Sequence, residues 1–68
     1  MMANPRVGQN VQIWYAKRYA RFMPLHGVIG AVVSVGHSVP RNHLVEVNGT
    51  QYVVPCGNLR KAKGVGDE

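Results

Sequence analysis

The sequence predicts an all-β fold: a small barrel of five short strands with a long basic aromatic loop after the first. Three observations lead there. Val7, Val11, Ile13 and Tyr15 recur at even spacing with Gln12 and Trp14 between them, the period of a strand with one buried face. The run from Gly27 to Val35 is β-branched and, with Gly36 closing it, too short for a convincing helix. Asn48-Gly49 stands between two apolar segments, and Asn-Gly is the strongest short hairpin signal because both central positions of a type I′ turn need positive φ.

The elements follow in order. The first strand is entered through Gly8 and runs toward Tyr15; the second covers 27–35 and is central. Pro40-Arg41-Asn42 marks a loop. Residues 43–47 and 51–54 then form the hairpin, with Val47 opposite Thr50 and Val45 opposite Tyr52. That register puts Val45, Val47, Tyr52 and Val54 on one face and Leu44, Glu46, Gln51 and Val53 on the other. Pro55 stops the fourth strand, Cys56-Gly57-Asn58 makes a tight turn, and Leu59-Arg60-Lys61 returns as a short fifth strand. Closure, or near closure, would remove the exposed edges that an open sheet leaves. The domain is expected over residues 7–62, with flexible tails at 1–6 and 63–68.

One segment also fits a helix. Gln12 to Met23 is rich in helix formers, its Tyr15, Tyr19 and Phe22 fall at i, i+4 and i+7, Asn10 can cap it and Pro24 follows its end. The alternation from Val7 onward favours a strand to Tyr15 followed by a loop, and the short helix stays open as the alternative.

Composition bounds the function. A chain of 68 residues is one domain whose folded form buries only about 60% of its unfolded surface, a thin frame for a monomeric substrate pocket. The net charge is +5, but Asp67 and Glu68 close the chain, so residues 1–66 carry eight bases against Glu46 alone. Such an imbalance favours a polyanionic partner. Cys56 is the only cysteine, no apolar run approaches the roughly 18 residues of a membrane span, and no leader pattern follows Met1, so a cytoplasmic protein with no membrane association is expected.

The pattern Gly8-Gln9-Asn10-Val11-Gln12-Ile13, followed by Gly27-Val28-Ile29-Gly30-Ala31-Val32-Val33-Ser34-Val35, resembles the KOW motif, in which a Gly-x-x-Val-x-Val strand precedes Gly-x-x-Gly-x-Val-x-x-Val. The resemblance covers about residues 7–47. It implies a small SH3-like β-barrel, as in ribosomal proteins and NusG-type transcription factors, where such domains contact RNA or the transcription machinery. Residues 52–59 are similar to the last strand, short helical turn and closing strand of SH3-like barrels. Gln9 replaces the family's usual acidic residue, and the basic aromatic segment lengthens the link between the motif's halves.

That segment is the candidate site. Trp14, Tyr15, Tyr19 and Phe22, together with Lys17, Arg18 and Arg21, fall within positions 14–22. Cations neutralise phosphates and flat rings stack on bases, so the expected partner is RNA or single-stranded DNA, bound with weak sequence preference. Lys17, Arg18 and Arg21 are expected on phosphates, Trp14 and Tyr19 on bases, and Arg41, Arg60, Lys61 and Lys63 as extensions of the patch. Tyr15, Phe22 and Tyr52 are expected in the core. The same loop could instead meet an acidic protein surface; it lacks the acidic residues with which SH3 grooves usually greet basic peptides.

Other chemistry has little to build on. His26, His37, His43 and Cys56 match no short metal-ligand spacing, and Glu46 as the sole folded-region acid leaves no carboxylate pair, so neither metal, cofactor nor enzymatic activity is expected. Gln51-Tyr52-Val53-Val54-Pro55 departs from the Gln-x-Tyr-Pro stretch of plasmid-type dihydrofolate reductases, which are SH3-like barrels that act as tetramers.

Overall fold

A computed structural model of the chain describes residues 2–62. Among these residues five strands form: β1 (Asn10–Ile13), β2 (Ile29–Ser34), β3 (Asn42–Val47), β4 (Thr50–Pro55) and β5 (Leu59–Lys61). A four-residue helix, α1 (Lys17–Ala20), lies between β1 and β2, and a 3₁₀ turn (Cys56–Asn58) joins β4 to β5. The strands make one antiparallel sheet in the order β4-β3-β2-β1-β5. The predicted tail at 63–68, Lys63 included, lies outside the described residues.

The all-β prediction holds, and its closure does not: β4 and β5 are sheet edges with no ladder between them. Pro55 ends β4 without an N–H to donate, and the three-residue turn leads directly into β5, which pairs only with β1. The sheet nevertheless curls tightly. Laid flat at normal strand spacing, β4 and β5 would stand about 19 Å apart. The 3₁₀ turn between Pro55 and Leu59 spans only about 8 Å at its usual rise. A bulge in β2, where Val32 pairs with Val45 but Ser34 with Leu44, adds to the bend.

Curling lets all five strands feed one core. Val11 and Ile13 of β1, Val32 of β2, Val45 and Val47 of β3, Val54 of β4 and Leu59 of β5 form a single buried cluster, with Tyr15 and Tyr52 packed against it. Each such side chain contributes about 1.5–3 kcal/mol relative to an exposed one. The hairpin has the predicted register, with Val47 opposite Thr50 and Val45 opposite Tyr52, and both turn residues, Asn48 and Gly49, have positive φ. Gly30 is required for a different reason. A Cβ there would lie 2.6 Å from the Glu46 carbonyl oxygen and 2.8 Å from Val47 Cγ2, so only glycine lets β2 approach β3 this closely.

Residues 2–5, expected from the sequence to be a tail, belong to the packed structure. The Met2 N–H donates to the Cys56 carbonyl at 3.1 Å, Met2 packs on the core, and Pro5 is buried. Their partner, which carries no signal in the sequence, is His43, 1% exposed on the inner face of β3. Its Nε2 meets the Met2 carbonyl at 3.1 Å, and its Nδ1 accepts from the Gly36 N–H at 3.1 Å. A polar ring inside this small core needs both bonds, and the N-terminal segment supplies one.

Candidate functional site

The segment after β1 combines the strand and the helix that its sequence allows. Gln12 and Ile13 lie in β1, which excludes a helix over 12–23 and leaves Asn10 in a strand and not at a cap. One helical turn follows, started by Ala16, whose carbonyl accepts from the Tyr19 and Ala20 N–H groups at 2.8 and 3.0 Å. It stops there because it has nothing to bury: no residue of α1 is buried, and helices in proteins persist mainly by packing an apolar face. Successive turns carry the chain onward, Phe22 N–H to Tyr19 O, Met23 N–H to Ala20 O and His26 N–H to Met23 O. The loop is thus a hydrogen-bonded structure that exposes Lys17, Arg18, Tyr19, Arg21 and Phe22 while Leu25 packs against the core.

Lys17, Arg18 and Arg21 are all exposed on this turn. Tyr19 is 52% exposed, as predicted, and the Arg18 guanidinium carbon lies 4.9 Å from its ring centroid. Phe22 corrects its prediction: it is 68% exposed, with the Arg21 guanidinium carbon 4.9 Å from its ring. Its i+7 spacing from Tyr15 signifies a core side chain only if one helix continues between them, and α1 ends too early. The two Arg-aromatic pairs hold charge and π surface together, the combination that single-stranded nucleic acid meets in its binding sites.

Trp14 is 40% exposed, and it is not a bare platform. The Arg60 guanidinium carbon lies 3.4 Å from its ring centroid, and the His26 ring centroid lies 4.3 Å away, tilted by 47°. The backbone around it is tied to the 3₁₀ turn: Trp14 N–H donates to the Asn58 carbonyl at 2.8 Å, and Asn58 Nδ2 donates to the Trp14 carbonyl at 3.1 Å. His26 is anchored by the Tyr15 N–H, which donates to its Nδ1 at 3.0 Å.

Arg60 is held as well. It faces Gln12 across the β1–β5 ladder, and its Nε donates to Gln12 Oε1 at 2.9 Å. Gln12 Nε2 in turn donates to the Gly27 carbonyl at 3.0 Å. Neither Gln12 nor His26 stands out in the sequence as a site residue. Alternation does place Gln12 on the face of Trp14, and pairing β5 with β1 sets Arg60 opposite it.

Arg41 is removed from the site. It is half-buried, and its Nη1 donates to the Ala3 carbonyl at 3.1 Å and to Asn4 Oδ1 at 2.6 Å, so it fastens the N-terminal segment. Lys61 is exposed at the end of β5, opposite Val11. Among the described residues the only acid is Glu46, on the outer face of β3 across from Gln51. β2 and β1 lie between β3, which carries Glu46, and β5, which carries Arg60.

Among the described residues no three His, Cys, Asp or Glu side chains gather in a metal-binding arrangement, and no helix is long and apolar enough to cross a membrane. Comparison with known proteins adds no relative: no protein-family model matches the chain, and neither a curated protein nor a solved structure matches it significantly.

Proposed function

We propose that this chain is a small SH3-like, KOW-like domain that binds RNA or single-stranded DNA with weak sequence preference. The observation that carries the reading is the α1 turn: Lys17, Arg18 and Arg21 exposed together, with Tyr19 and Phe22 exposed beneath arginines and no acidic residue in the segment. Cations there neutralise phosphates, and the rings offer sequence-tolerant stacking worth about 1–3 kcal/mol per base. A five-stranded antiparallel sheet with a 3₁₀ turn before its last strand supports the SH3-like assignment. In this reading Trp14 serves as the bed of Arg60, and Tyr19 and Phe22 receive bases.

The test is a titration with single-stranded RNA, single-stranded DNA and duplex DNA, following the fluorescence of Trp14, the sole tryptophan. Binding that weakens by about 100-fold between 50 and 200 mM salt corresponds to some four neutralised phosphates. Absence of binding to all three at low salt rejects the proposal and directs the search to an acidic protein surface.

A further inference from the structure

Arginine meets an oxyanion through one of two forks: side-on, through Nε and one Nη, or end-on, through both Nη groups. At Arg60 the side-on fork is closed, because Nε already donates to Gln12 Oε1 at 2.9 Å. Gln12 cannot swing away freely, since its amide nitrogen is committed to the Gly27 carbonyl at 3.0 Å. A guanidinium carbon 3.4 Å from the Trp14 ring centroid is at the contact distance of two stacked planar groups, so the guanidinium lies flat on the indole. Its terminal nitrogens have no hydrogen-bond partner among the described residues, whose only acid, Glu46, lies on β3 with β2 and β1 between it and β5.

We propose that Arg60, laid on Trp14 and aimed by Gln12, is an end-on fork for a phosphodiester of the bound strand. The proposal rests on the nucleic-acid reading and deepens it. Gln12 is a positioning residue: it withdraws Nε, fixes the rotation of the guanidinium and adds no charge of its own. The chemistry selects phosphate because a fully charged fork with both ends free matches two oxygens of one anion, whereas most arginines on a protein surface spend the entropy of ordering only on binding. Trp14 thereby acts through the arginine it supports.

Oligothymidylate is the probe, because it offers phosphodiesters and no guanine, the base whose edge an arginine fork would otherwise read. Its methylphosphonate analogue keeps the thymines and removes the charge. Wild-type protein, Arg60→Lys and Gln12→Ala are titrated with both, after amide NMR spectra establish that each variant is folded. The fork requires Arg60→Lys to bind oligothymidylate about tenfold more weakly with an unaltered salt slope, because the charge remains and the second donor is gone. Gln12→Ala is expected to weaken binding about threefold and to reduce the preference for phosphate over methylphosphonate, which a merely structural glutamine would leave alone. Wild-type-like affinity in both variants overturns the fork while leaving nucleic-acid binding in place. A wild-type protein that does not bind oligothymidylate at low salt overturns both.

Discussion

The Gly36 N–H donates to Nδ1 of His43 at 3.1 Å, and this bond decides where the imidazole proton sits. A nitrogen that accepts cannot also carry a proton, so the hydrogen is on Nε2, where the Met2 carbonyl accepts it at 3.1 Å. Ring ¹⁵N shifts of His43 are therefore expected to report the Nε2–H tautomer. His43→Ala removes both bonds and leaves a void inside the core, a loss of about 3 kcal/mol in urea unfolding. Unchanged stability would mean that residues 2–5 do not pack on β3.

Gly30 makes a sharper test of the curled sheet. Two of the nearest groups, Val45 Cγ1 and Val47 Cγ2 at 2.8 Å from an added Cβ, are branched side chains of the core, and the third, the Glu46 carbonyl at 2.6 Å, is backbone. None can retreat without disturbing the β2–β3 ladder. Gly30→Ala should lower stability by about 2 kcal/mol, read as a shift in the denaturation midpoint at constant m-value.

Much of the fold is legible in the sequence because its signals are local. Asn48-Gly49 sets the hairpin register outright, and Val11 and Ile13 announce the buried face of β1 by their spacing. What local pattern cannot supply is long-range. Arg41 has the composition of a surface base and becomes a tie only because Asn4 is folded back beside it, 37 positions away. Arg60 acquires its orientation from Gln12 at a separation of 48, through a strand pairing that no local pattern encodes. Phe22 stands outside the core because the 3.6-residue period it shares with Tyr15 and Tyr19 has meaning only along a continuous helix, and α1 ends at Ala20.

The exposure of Phe22 separates folding from binding. A core phenylalanine would cost about 3–5 kcal/mol on truncation, but an exposed one should cost no more than about 0.5 kcal/mol. Phe22→Ser is thus expected to unfold at the wild-type midpoint and yet bind single-stranded RNA about tenfold more weakly, for want of one stacked base. Parallel denaturation and fluorescence titration measure the two effects on one sample. A large loss of stability would put the ring in the core after all.

The cations on and next to α1 can be removed without threatening the fold, since Lys17, Arg18 and Arg21 are all exposed and alanine is the best helix former. Changing Lys17, Arg18 and Arg21 together to Ala should leave stability within about 0.5 kcal/mol of wild type. The slope of log K against log salt should flatten by about 2 for single strands, at roughly 0.7 for each phosphate that is no longer neutralised. Arg41→Ala is the matched control, because it also deletes a positive charge but one spent on Ala3 and Asn4. It should lower stability by about 1 kcal/mol and leave the salt slope nearly where it was. If Arg41→Ala flattens the slope as much as the triple variant does, binding follows net charge alone and the α1 turn is not the binding surface.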